Sequence, residues 1–148
     1  MAKHKNKKPK AQFTLPQGKT PRVVERINNE SASPSWHFRI MDIDGPFCPT
    51  HMDRATMLDV RSKLSDLESM TWAEILSNRD HHHPIDIDRL APEARARLAV
   101  IRQDDVEHVY SLRLTGKQRV IGIRDGPVLR LLWWDPDHQV CPSEKKHT

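Results

Sequence analysis

The sequence predicts an α+β fold: an N-terminal strand, then helices, then a C-terminal antiparallel β-meander, behind a basic N-terminal tail. Three patterns carry that expectation. Residues Trp36 to Ile43 alternate Trp, Phe and Ile with polar side chains, the period of a half-buried strand. Met57, Val60, Leu64 and Leu67 recur at helical spacing and make one apolar stripe. Val109 to Leu114, Gln118 to Arg124 and Val128 to Trp134 are β-rich runs separated by Thr115-Gly116-Lys117 and by Asp125-Gly126, and Asp-Gly is among the strongest two-residue hairpin signals.

Taken in order, residues 1–35 are rich in Lys, Pro, Asn and Ser, hold neither period, and are expected to form a disordered lysine-rich tail. Residues 36–142 are expected to form one domain and residues 143–148 a flexible C-terminus. The first strand stops at Gly45-Pro46. The helix that follows Asp53 turns Asp59, Arg61, Lys63 and Asp66 away from its apolar stripe. Thr71 with Glu74 three residues on is a capping-box pattern, and it starts a short helix carrying Trp72, Ile75 and Leu76. Pro84 ends regularity after His81-His82-His83. Pro92 suits a first helical turn and opens a helix that buries Leu90, Ala94, Leu98 and Ile101.

The 148 residues are 36% hydrophobic and 30% charged, a polar but foldable composition with no apolar run near the roughly 20 residues a bilayer crossing needs. The start of the chain has lysines without the apolar stretch of a secretory signal, which points to the cytoplasm and away from membranes. The net charge of +4 is unevenly spread. Residues 1–26 hold eight Lys and Arg against Glu25 alone, a net +7, and the other residues are net −3. A segment so basic can contact phosphates of RNA, ribosome or DNA without reading sequence, or it can act only as a solubilising tail.

Cys48 and Cys141 are too far apart to form a CxxC unit and read as reduced thiols. His81, His82 and His83 with Asp80, Asp86 and Asp88 have metal-ligand chemistry, but consecutive residues rarely aim at one ion, and an exposed polar loop is the favoured reading. No metal site or cofactor is therefore assigned. No Gly-rich phosphate loop and no GxSxG elbow is present, which disfavours nucleotide and serine hydrolases. Of Trp133 and Trp134, adjacent on a strand, one faces each way, and either packs or offers a ring to a nucleobase.

Hairpin geometry carries the meander further. With Asp125-Gly126 as a two-residue turn, Arg124 faces Pro127, Ile121 pairs with Arg130 and Arg119 with Leu132, while the three-residue loop pairs Arg113 with Arg119. Leu112, Leu114, Val120, Leu129 and Leu131 then face the helices. Ser111, Arg113, Arg119, Ile121 and Arg130 face the other way. Arg113 opposes Arg119 directly and Arg130 lies diagonal to it, a like-charge grouping that an anion would relieve. The fork of a guanidinium suits phosphate. The alternative is that each arginine pairs with Glu68, Asp104, Asp105 or Glu107, or stays solvated.

The stretch from Val109 to Asp125, followed by Val128-Leu-Arg-Leu-Leu-Trp-Trp-Asp-Pro-Asp-His138, resembles the RelE/ParE-type toxin superfamily over roughly residues 36–141. A basic strand, a Gly turn, an arginine opening the next strand, an acidic turn, an apolar strand and a terminal His or Arg carry the likeness. The resemblance implies a RelE-like fold and, in the ribonuclease branch, a hydrolase of toxin-antitoxin systems that cleaves mRNA without a metal, usually at the ribosome. It implies catalytic roles for Arg119, Arg113 and His138, and RNA contacts from Lys117, Arg130 and Trp134. A cognate antitoxin would be a partner. The same superfamily includes gyrase poisons without nuclease chemistry, so a non-catalytic protein-binding module and a basic-tailed nucleic-acid-binding accessory protein stand as alternatives.

Overall fold

The computed structural model describes residues 30–142, so residues 1–29 of the expected lysine-rich tail and residues 143–148 lie outside it. Among the described residues five strands, β1 (Ser35–His37), β2 (His82–Asp86), β3 (His108–Arg113), β4 (Arg119–Asp125) and β5 (Val128–Asp135), combine with the helices α1 (Arg54–Glu68), α2 (Trp72–Ser77) and α3 (Pro92–Val100). The strands form one mixed sheet in the order β1-β5-β4-β3-β2, with β1 parallel to β5 and every other neighbour antiparallel. The chain is thus α+β, and β3 to β5 form the expected meander.

Local chemistry accounts for the helices. The Asp53 carboxylate accepts the Thr56 N–H at 2.8 Å and caps α1, whose Val60, Leu64 and Leu67 are buried while Met57 stays 47% exposed. Thr71 and Glu74 make the reciprocal capping box that opens α2. Pro92 stands in the first turn of α3, where its missing N–H has no partner to lose.

Both faces of the sheet are covered. On one, α1 and α2 bury Val60, Leu64, Leu67, Trp72 and Ile75 against Leu112, Val120, Leu129 and Leu131, as the periodicity requires, with Leu114 partly buried beside them. On the other, Ala94 and Leu98 of α3 pack on Val109, Ile121, Ile123, Leu132 and Trp133. Ser111 and Ile121, expected beside the arginines on an open face, lie under this second layer at 3% and 1% exposure. At about 2 kcal/mol for each fully buried Leu or Ile, closing both faces outweighs leaving one to solvent.

Two strand expectations are corrected. The first strand stops at His37 instead of reaching Ile43, and Phe38 and Ile43 are about 60% exposed. The chain beyond keeps only isolated bonds to β5, from Asp42 N–H to the Leu132 carbonyl at 3.1 Å and from Trp134 N–H to the Phe47 carbonyl at 2.9 Å. The His82–Asp86 segment, expected as loop, is an edge strand on β3. Pro84 is tolerated there because an edge leaves one side of the backbone without a ladder. The fold also reaches upstream of residue 36: the Ala32 carbonyl accepts the Trp72 N–H, and Glu30 pairs with Arg124 at 2.7 Å.

The meander register departs from expectation at two points. The β4–β5 turn is Gly126-Pro127, not Asp125-Gly126, with Asp125 opposite Val128. Gly126 takes φ 58, and placing Pro127 in the loop keeps a residue without an N–H out of the ladder. A bulge follows: Gly122 faces Leu131 but Ile121 faces Trp133, which leaves Leu132 as the extra residue. Arg119 therefore opposes Asp135 and not Leu132, and Arg130 opposes Ile123 and not Ile121. A Cβ at Gly122 would lie 2.5 Å from the Arg130 carbonyl oxygen and 2.9 Å from Leu129 Cγ. Gly122→Ala is therefore expected to cost about 1–3 kcal/mol of stability by overpacking, read as a lower urea midpoint; an unchanged midpoint would mean that the bulge does not need the glycine.

Candidate functional site

The open end of the α3-side face holds the arginine pair. Arg113 and Arg119 are direct cross-strand partners, as hairpin geometry predicts. Gly116, in the loop between them with φ 58, turns its carbonyl toward both guanidinium groups. It accepts from Arg113 Nε at 3.1 Å and from Arg119 Nη1 at 3.0 Å, and Arg119 Nη1 also reaches the Gln118 carbonyl at 3.1 Å. A shared neutral acceptor holds the like charges together and leaves most of their ten N–H donors unengaged. Among the described residues neither guanidinium has a carboxylate within ion-pair distance, whereas Arg97 and Arg124 do.

His138 reaches the same place by a different route. Asp135, 1% exposed and opposite Arg119, accepts the backbone N–H groups of Gln139 at 2.8 Å and Val140 at 2.9 Å. These bonds fold the chain back after β5, and the Val140 carbonyl accepts the Ala91 N–H ahead of α3 at 2.8 Å. The turn carries His138 in the left-handed region, φ 57, a conformation uncommon for a residue other than glycine and held here by bonds on both sides.

Arg113, Arg119 and His138 line one depression of about 660 Å³, together with His83, Cys141 and the Asp80, Asp88 and Arg89 rim. Burial lowers the His138 pKa, the Arg119 charge lowers it further, and Asp135 acts in the opposite sense. Burial also lowers the Arg119 pKa, with Arg113 adding to it, although a guanidinium stays protonated at neutral pH. His82 is pushed down to about 4, mainly by burial and then by His81, His83 and Arg119, and its neutral ring accepts the Arg113 N–H on Nδ1 at 3.2 Å. Burial raises the Cys141 thiol pKa, which makes it a poor nucleophile. The arrangement can therefore hold an anion against two fixed cations beside a histidine that is neutral at pH 7.

The remaining candidates lie elsewhere. Arg130 shares the face of Arg119 but is two ladder steps away, about 13 Å along the strand, and does not line the depression. Lys117 is exposed in the loop beyond Gly116 and lies outside the lining. Trp134 points to the opposite face, where it lines an apolar groove of about 400 Å³ with Trp36, Met41, Met52 and Met57. Trp133 is core, packed on Phe47 and donating from Nε1 to Asp42 Oδ2 at 3.0 Å. Among the described residues no group of three or more His, Cys, Asp or Glu side chains is placed to hold a metal ion, and no helix is long and apolar enough to cross a membrane.

Sequence reasoning missed two features. Asp135 belongs to the site through backbone N–H groups four and five residues on, a spacing that resembles an ordinary turn. His83 enters because its segment is a strand. Compared with protein-family models, with curated proteins and with solved structures, the chain matches none.

Because the Arg119 charge disfavours the imidazolium, Arg119→Ala is expected to raise the His138 pKa from its position below the usual 6.5. Inorganic phosphate bound between the arginines should raise it in the wild type. An NMR titration of the His138 ring checks both shifts; a midpoint indifferent to both changes would separate the histidine from the arginine pair.

Proposed function

We propose that the protein is a RelE-like, metal-independent endoribonuclease that cleaves mRNA, at the ribosome, as a toxin with a cognate antitoxin. One observation carries the reading: Arg113 and Arg119 converge on Gly116 with no carboxylate at ion-pair distance among the described residues, in a depression that also holds His138. Cleavage of RNA by its own 2′-hydroxyl needs cations against the crowded phosphate and a base for the hydroxyl proton. The arginines supply the first and His138 the second. Arg119, which acts on the His138 ring more strongly than Arg113 does, is the principal transition-state contact, with Arg113 beside it. Lys117 and Arg130, outside the depression, would touch phosphates farther along the strand.

The alternative of a non-catalytic, gyrase-directed or other protein-binding module is favoured by the apolar groove beside α1 and by exposed Phe38 and Met57 at its edge. Growth arrest with DNA damage and intact mRNA selects it.

Purified protein incubated with translating ribosomes and mRNA is expected to cleave equally with and without EDTA. Arg119→Ala should slow cleavage by about 10²–10³-fold, the usual effect of removing one transition-state donor. His138→Ala should slow it comparably. The base must be neutral, and its pKa in the free protein is lowered from 6.5, so cleavage at limiting substrate should rise with pH through a midpoint below 6.5. Intact mRNA, or cleavage unchanged in both variants, overturns the nuclease reading.

A further inference from the structure

Beyond the three residues of the proposed ribonuclease site, the depression contains a second imidazole that neither the resemblance nor the arginine argument uses. His83 lies on edge strand β2, next to β3, which carries Arg113, and β4, which carries Arg119, follows. His138 follows β5 on the far side of β4. Across the sheet the order is therefore His83, Arg113, Arg119, His138, with the cationic pair flanked by histidines. All four line the same depression, and the two imidazoles are close enough for one to disfavour protonation of the other.

Displacement at phosphorus puts the attacking and leaving oxygens on opposite sides of the phosphate, so an acid and a base that serve both must flank the anion site. His83 is prepared for one of these roles. Its Nδ1 lies 3.2 Å from the Pro84 carbonyl oxygen, which can only accept, so Nδ1 carries hydrogen and proton exchange is left to Nε2. His82 is excluded, because its Nδ1 is already an acceptor for the Arg113 N–H.

Resting on the ribonuclease reading, we propose that His83 is a second catalytic residue, the general acid that protonates the 5′-oxygen leaving group. The 2′-hydroxyl proton passes to His138 as the 2′-oxygen–phosphorus bond forms. The phosphorus–O5′ bond breaks, and its electron pair takes the proton from His83 Nε2. The products are a 2′,3′-cyclic phosphate end and a 5′-hydroxyl end, and exchange with water resets both rings. No oxidant, reductant or further reactant enters.

A leaving group that needs no proton tests this directly. The full-length protein would be given ribosome-bound mRNA with either an ordinary linkage or a 5′-bridging phosphorothiolate at the cleaved position, which departs as a thiolate. His83→Gln is expected to slow the ordinary linkage by about 10²-fold or more, the usual share of a general acid, and to leave the thiolate linkage at the wild-type rate. That second rate also establishes that the variant is folded. His138→Gln should slow both. If His83→Gln slows both linkages equally, the imidazole is at most a phosphate contact, and if it slows neither it has no part; either result overturns the proposal with the ribonuclease reading intact. Wild-type protein inert on both substrates overturns that reading and the His83 role with it.

Discussion

The extra residue in β5 is the constraint on which the rest of the arrangement depends. Up to Leu131 the strand presents alternate side chains to the two helical layers in the usual way, and at Leu132 the phase changes so that Leu132 and Trp133 both enter the α3-side core. Gly122 permits this, since its bare backbone lets the Arg130 carbonyl approach closer than any Cβ would allow. The consequences run in both directions along the strand. Ahead of the bulge, Arg130 is carried away from Arg119. Beyond it, Asp135 arrives opposite Arg119 and takes up the backbone that places His138.

The bulge also explains why the first strand is short. A straight neighbour cannot keep a regular ladder beside a partner that changes phase, so β1 pairs only with Val128 to Arg130. Farther on, the 38–47 segment wraps the edge with two isolated bonds and inserts Asp42 into the interior. Asp42, 1% exposed, accepts from Arg97 Nε at 2.9 Å, from Arg97 Nη2 at 2.6 Å and from Trp133 Nε1 at 3.0 Å. Burial alone would raise its pKa, but these donors more than offset that and leave it lowered. The carboxylate therefore ties the edge segment, α3 and the bulged strand together, and Gly45 leaves it room: a Cβ there would lie 2.5 Å from Asp42 Oδ2.

What could be read from the sequence divides along the range of the interactions concerned. The helices announce themselves through local signals, the helical spacing of Val60, Leu64 and Leu67, the Thr71 and Glu74 pair and Pro92, and all three helices form. The Arg113–Arg119 pairing was likewise legible, because a three-residue loop sets it locally. The β4–β5 register was not, because Asp-Gly and Gly-Pro compete for one turn and a bulge leaves no compositional mark beyond a glycine. The 81–86 segment hid its strand character behind three histidines and a proline, and with it the place of His83. The apolar periodicity gave the helix-facing side of the sheet correctly but could not tell that α3 closes the other side, since Ser111 and the arginines made that side look solvent-exposed.

Those same misreadings concern one physical issue, how a sheet covered on both faces can still present charge. α3 is only nine residues long and covers the middle of its face, over Val109, Ile121 and Ile123. The ends of β3 and β4 run past it, and the hairpin loop there supplies carbonyls, not carboxylates, to the arginines. A carboxylate in place of the Gly116 carbonyl would cancel half of the pair's charge and weaken its hold on an anion. A carbonyl offers geometry without charge, so among the described residues the guanidinium groups keep their positions without an ion-pair partner. The one nearby buried carboxylate, Asp135, is committed to two backbone N–H groups and so moderates the field at Arg119 and His138 without cancelling it. Arginines without an ion-pair partner among the described residues, in a structure that elsewhere pairs Arg97 with Asp42 and Arg124 with Glu30, are the feature that makes this end of the sheet a site.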